Sequence, residues 1–130
     1  MTTYHFSITP VPKPRMTQRD KWLTPARPAV AAYRGYCDEI TMRHVSLPYS
    51  GAHVTFNMPM PVSWTQRKRE QMKHQPHQQT PDVDNLLKAL LDAVFGQDSV
   101  IWDIRATKVW SECGSITIET DHEFGLAEDF

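Results

Sequence analysis

Apolar positions along the 130-residue chain switch repeatedly between the two-residue period of a strand and the three-to-four-residue period of a helix. Residues 4–8 (YHFSI) alternate and predict a first strand. Prolines at 10, 12 and 14 then deny the backbone both donors and freedom in φ, so residues 9–15 predict an extended, polyproline-like loop. From about 28 to 45, Val30, Tyr33, Cys37, Ile40 and Val45 recur at helical spacing, weakened by Gly35. Residues 53–58 (HVTFNM) alternate again and are closed by Pro59 and Pro61. Ser63 stands as an N-cap before the basic run WTQRKREQMKHQ, and 75–80 reads as a Gln/His/Pro linker. TPDVDNLLKALLDAVF, residues 80–95, predicts a helix ended near Gly96. Residues 100–110 and 115–120 alternate around Glu112-Cys113-Gly114 and predict a hairpin, followed by a frayed acidic tail at 121–130. The order β-α-β-α-α-β-β over one 1–130 unit predicts a single small α+β domain, a mixed sheet with packed helices.

The helix at 80–95 carries an unusual load. Leu87, Leu90, Leu91 and Val94 fall on one face, while Asp84, Lys88 and Asp92 follow one another at i+4 on another. Asp82 lies two residues before Asp84. On an extended backbone both carboxylates point the same way, roughly 7 Å apart. Drawing two ionised carboxylates to about 4 Å costs on the order of 4 kcal/mol at an effective dielectric near 20. A divalent cation would offset that repulsion. Plainer readings compete: Asp82 or Asp84 as a helix cap, Asp84 with Lys88 as a surface pair, and Asp98 as only a residue of the turn after the helix. The joint occurrence of D-x-D-N, a lysine four residues later and Asp98 at the head of a strand favours a site.

Other metal chemistries fit less well. An EF-hand loop needs a glycine soon after D-x-D-N, and Leu86 and Leu87 stand there instead. His74 and His77 have no partner at zinc spacing and read as linker residues. No D/E-x-K tripeptide and no glycine-rich phosphate loop occurs. Cys37 and Cys113 have no CxxC spacing, the start MTTYHFSITP is too polar for a signal peptide, and no apolar run is membrane-length. Together these predict a soluble, cytoplasmic protein.

Formal charge is −1, but it is split. Residues 1–80 hold eleven Lys/Arg against four Asp/Glu, a net of +7, and residues 81–130 hold three against eleven, a net of −8. A basic half beside an acidic site suits a polyanion partner, although two solvated faces would show the same count.

The run Asp82-x-Asp84-Asn85-Leu86-x-Lys88-x-x-x-Asp92, followed by Asp98-x-x-x-x-Asp103 and Lys108, resembles the RusA-type Holliday-junction resolvases of bacteria and their phages. PKPR at residues 12–15 and Thr24-Pro25 are similar to that family's opening loop, whereas 40–80 is only compatible with it. The resemblance implies a RusA-like fold, with Asp82, Asp84 and Asp98 as metal-binding carboxylates and Lys88 as catalytic lysine. Asp103 and Lys108 match recurring positions of auxiliary role. It further implies a homodimer that binds four-way DNA junctions and needs Mg²⁺, for which Mn²⁺ often substitutes. Many members carry paired acids at the downstream site; here Gln97 precedes Asp98.

Both lines predict Mg²⁺-dependent phosphodiester hydrolysis, cut symmetrically in the service of DNA recombination and repair. Lys88 would face the negative charge that develops on the phosphate. Lys13, Arg15, Arg19, Lys21, Arg67, Lys68, Arg69 and Lys73 are the candidate DNA-backbone contacts. Trp22 and Trp64 belong either to packing or to stacking at the junction centre. Nucleases for flaps or other branched DNA, and a non-catalytic branched-DNA-binding module, are the alternatives.

Overall fold

The computed structural model describes residues 2–121. Its elements run β1 (Thr2–Phe6), α1 (Pro28–Met42), β2 (Ala52–Pro59), α2 (Gln66–Met72), α3 (Val83–Val94), β3 (Ile104–Ser111) and β4 (Ser115–Thr120), with short 3₁₀ turns at Gln18–Lys21 and Asp98–Val100. This is the expected order of a small α+β domain. Most of the acidic tail, residues 122–130, lies outside the described residues.

Alternation along β2 sets the layers. Ala52, Val54, Phe56 and Met58 are buried, and His53, Thr55 and Asn57 between them are half exposed. Ile116 and Ile118 of β4 extend the apolar face, and α1 and α3 close over it with Tyr33, Tyr36 and Ile40, and with Leu86, Ala89 and Leu90. Each Leu, Ile or Phe buried fully there contributes about 1.5–3 kcal/mol. The opposite face is polar. His53 Nε2 meets Thr107 Oγ1 at 2.9 Å, and Asn57 Nδ2 donates to Thr117 Oγ1 at 3.1 Å.

Strand order is β1-β4-β2-β3, with β2 and β3 parallel and the other pairs antiparallel. The predicted hairpin is therefore not one: β2 lies between β3 and β4, and residues 112–114 cross over its end. Gly114 makes that crossing against the chain leaving β1, since a Cβ there would fall 2.5 Å from Thr9 Oγ1.

Several boundaries also move. β1 ends at Phe6 because the Ile8 amide turns back to the Phe6 carbonyl at 2.8 Å. α1 starts on Pro28 and stops at Met42, not Val45. His44 turns left-handed (φ 53°) and the Val45 amide reaches the Ile40 carbonyl at 3.2 Å, a Schellman closure. α2 is capped by Thr65, whose hydroxyl accepts the Lys68 amide at 3.2 Å, because Ser63 sits in a turn closed by Trp64 N–H to Pro61 C=O. α3 ends by Phe95 turning extended, without a glycine cap, and its buried stripe centres on Leu86, Ala89 and Leu90, with Leu87 and Val94 half-buried at its edge.

The predicted linker at 75–80 is partly structural. His74 and His77 donate backbone N–H groups to the Trp110 and Lys108 carbonyls (2.9 and 3.1 Å), and Pro76 bridges Val109. This segment covers the outer edge of β3, which would otherwise present unpaired amides. His77 is buried, its ring 4.2 Å from that of Trp110. Among the described residues no helix is long and apolar enough to cross a membrane.

Candidate active site

α3 brings the chemistry together because its charged positions share one face. Asp84, Lys88 and Asp92 stack at i+4 intervals, and the chain after Phe95 doubles back so that Asp98 meets the middle of the helix. The Lys88 ammonium lies 2.7 Å from Asp98 Oδ2 and 3.3 Å from Asp92 Oδ1. Asp92 in turn is ion-paired with Lys13 from the proline-rich loop. Two ammonium groups thus hold two carboxylates in a chain Lys13–Asp92–Lys88–Asp98.

Titration follows from this geometry. The Asp98 carboxylate, with Asp92 second, pulls the Lys88 pKa above its ordinary value. Reciprocally, the Lys88 ammonium lowers Asp98 below the usual carboxylate range. Lys88 is therefore a firmly protonated donor at neutral pH, half exposed at 50% of its side-chain surface.

Asp82 and Asp84 stand outside these ion pairs. Asp82 occupies the N-cap position with an extended backbone (φ −68°, ψ 147°), and its carbonyl accepts the Leu86 amide at 3.1 Å. Its side chain caps nothing, which removes the capping explanation for it. Asp84 lies in the first turn and, among the described residues, accepts only the Asn85 amide at 3.0 Å; no bond joins it to Lys88. Both are exposed, and neither carboxylate is paired with a cation among the described residues. Asp98 sits in a 3₁₀ turn after the helix, as its plainer reading expects, and not at the head of β3, which starts at Ile104.

Among the described residues, no three His, Cys, Asp or Glu side chains are gathered as a cage for one ion. Asp82, Asp84 and Asp98 are nonetheless hard oxygen donors, and two of them are unpaired. That suits Mg²⁺, which keeps several waters and commonly takes one or two protein carboxylates plus substrate phosphate.

Lys108 supports the entry to α3. In the parallel register Lys108 pairs with Phe56, so it lies on the core-facing row of β3 with Ile104, Ala106 and Trp110. From there its ammonium donates to the Pro81 carbonyl at 2.7 Å and to that of Gln79, fixing the backbone immediately before Asp82. Asp103 is directed elsewhere: its carboxylate accepts the Gly51 amide at 3.2 Å, tying the loop before β2.

The basic candidates divide into two groups. Arg15, Arg19, Lys21, Arg67 and Lys73 are exposed, with no side-chain ion pair among the described residues. Lys13 is committed to Asp92, Lys68 lies 4.3 Å over the Trp64 ring, and Arg69 donates to the carbonyls of Pro61 (2.9 Å) and Trp64 (3.3 Å). Trp64 itself packs against Trp110, 4.7 Å between ring centroids, while Trp22 is 82% exposed.

Two contributors lie outside the expected site set, Asp92 and buried Asp20. Asp92 completes the charged chain with Lys13, which was expected as a DNA contact, and Asp20 organises the basic loop. Asp20 accepts Arg27 Nε and Nη2 at 2.8 and 2.9 Å and the Thr17 amide at 2.8 Å. The Arg27 guanidinium, with the Thr17 amide second, holds its carboxyl far below the usual range. Thr17-x-x-Asp20 is a capping-box spacing, the one sequence signal that pointed there.

A family model described as endodeoxyribonuclease RusA matches residues 6–120, which include every residue of this site. Among curated proteins, no sequence matches the chain.

Proposed function

The chain belongs to the RusA endodeoxyribonuclease family, whose activity is the cleavage of branched DNA junctions, and on that premise we propose a Mg²⁺-dependent resolvase that cuts four-way junctions by paired, symmetric hydrolysis. The observation that carries this reading is the meeting of Lys88 with Asp98 on the α3 face that also bears Asp84 and adjoins Asp82.

Asp82, Asp84 and Asp98 would hold the metal, and Mn²⁺ has the same preference for such donors closely enough to replace it. When bound, the ion supplies charge neutralisation at the scissile phosphate and a water of lowered pKa. The protein supplies the rest. Lys88 keeps its proton on Nζ and turns that charge toward the phosphate oxygens as negative charge grows there. Asp92, backed by Lys13, holds the Lys88 ammonium together with Asp98. Lys108 fixes the peptide groups before Asp82 and so sets where that carboxylate stands. Exposed Arg15, Arg19, Lys21, Arg67 and Lys73 hold DNA phosphates, a contact type that fixes position without reading sequence.

Paired cuts call for two sites related by a two-fold axis, which a homodimer provides and which matches the symmetry of the junction. The reading is tested by incubating the protein with a synthetic four-way junction, a flap and a linear duplex, with Mg²⁺ or with chelator. Nicks confined to the junction and abolished by chelator support it. Equal cutting of all three substrates removes the junction selectivity, and no cutting of any removes the enzyme.

A further inference from the structure

Trp22 is a large aromatic surface left in water, 82% exposed, on a loop that is otherwise tightly braced. An indole so placed forgoes the burial that aromatic side chains normally gain. The bracing is extensive. Trp22 closes the 3₁₀ turn Gln18–Lys21 with its amide on the Arg19 carbonyl at 3.1 Å. Beneath that turn Asp20 is 4% exposed and holds Arg27 in a two-point ion pair. Arg27 Nη2 also donates to the Arg15 carbonyl at 2.9 Å, and Arg34 Nη2 to the Asp20 carbonyl at 3.3 Å. Three strands of contact therefore fix the backbone on both sides of a side chain that touches little.

The surroundings indicate what the ring meets. Lys21 directly precedes it, and Arg19 and Arg15 stand earlier on the same loop, all three exposed and free of carboxylate partners among the described residues. The same loop begins at Lys13, which is paired to Asp92 in the acidic site, so a polyanion lying along the loop leads to α3. The other tryptophans lack this setting. Trp102 is 75% exposed but adjoins Asp103 and follows Asp98, charges that repel phosphate, and Trp64 is spent against Trp110 and Lys68. Exposed basic side chains and an exposed aromatic ring on one loop form the pairing that grips single-stranded or unstacked nucleic acid, with phosphates on the cations and a base on the ring.

We propose that Trp22 stacks on an unstacked nucleobase at the branch point of a DNA junction, while Arg15, Arg19 and Lys21 hold the flanking phosphates. A continuous duplex offers no open base face, so Trp22 contributes to branched DNA and not to linear DNA. This rests on the junction-nuclease reading above.

The test measures binding in chelator, where no cutting interferes. Wild type, Trp22→Phe and Trp22→Ala are titrated against a four-way junction and a linear duplex of the same arm sequence, with 2-aminopurine placed at or away from the branch. Trp22→Ala should weaken junction binding about tenfold or more and leave duplex binding unchanged. Trp22→Phe should retain most of the affinity, and wild type and Trp22→Phe, but not Trp22→Ala, should change the fluorescence of the branch-point 2-aminopurine. Junction binding by Trp22→Ala at wild-type strength overturns the inference. So does an equal loss on both DNAs, or a changed oligomeric state, which would make Trp22 a contact between copies. Absence of junction preference in wild type itself overturns the functional reading, and this inference with it.

Discussion

The Lys88 ammonium rests 2.7 Å from Asp98 Oδ2, joining the middle of α3 to the turn that follows it. This contact makes the lysine part of the acidic site and not a surface pair with Asp84. Replacing Lys88 by Ala should lower junction cleavage by about two to three orders of magnitude, the usual cost of losing a donor aimed at developing charge. Junction affinity in chelator should change little. Rates and affinities measured on the same preparation check both halves.

Lys108→Met removes the donor to the Gln79 and Pro81 carbonyls while keeping the stem. Because Lys108 acts through the backbone before Asp82, kcat should fall by roughly tenfold or more with KM nearly unchanged, as expected when positioning is lost. An unchanged kcat would assign Lys108 to stability alone, which a melting curve would show.

Burial, and secondarily Lys108, lowers the His77 pKa. Below about pH 6.5 the unfolded chain therefore binds a proton that the folded chain resists. The contribution of neutral His77 is complete above that pH and is lost as pH falls through 6.5 toward the folded value. Urea midpoints at pH 7.5 and 5.5 should differ more for wild type than for His77→Leu.

Leu90 is fully buried where α3 meets the sheet. Leu90→Ala should cost about 2–5 kcal/mol, the range for emptying a packed leucine site. Denaturant unfolding gives the value directly. A smaller loss would mean that α3 can settle inward, and the Lys88–Asp98 contact should then weaken too.

Much of the fold was legible because period and burial agree. Alternation at 115–120 defines β4 residue for residue, and the leucine run defines α3 to within a turn. The pairing of β3 was not legible. A three-residue link containing Gly114 serves a hairpin or a crossing over the end of β2 equally well, and the choice depends on β2 filling the space between the two strands.

The site divides in the same way. Asp82, Asp84, Lys88 and Asp98 stand out as a local motif, since a helix turns i+4 spacing into one face. The part played by Lys13 does not, because its contact with Asp92 spans 79 positions in the chain. Asp20 likewise reads as one more surface acid until Arg27 and Thr17 close around it. Arg69 looks like a DNA contact by charge, yet its guanidinium is taken by two carbonyls of the preceding turn.

The central claim is that the carboxylates around α3 and the ammonium of Lys88 act together to hydrolyse DNA. Its most direct measurement is strand-specific cleavage of an end-labelled four-way junction in Mg²⁺ by wild type and by Asp84→Asn. Wild type should give matched nicks in two opposing strands, and Asp84→Asn should bind the junction but leave it intact. Cleavage by Asp84→Asn at the wild-type rate would contradict the account.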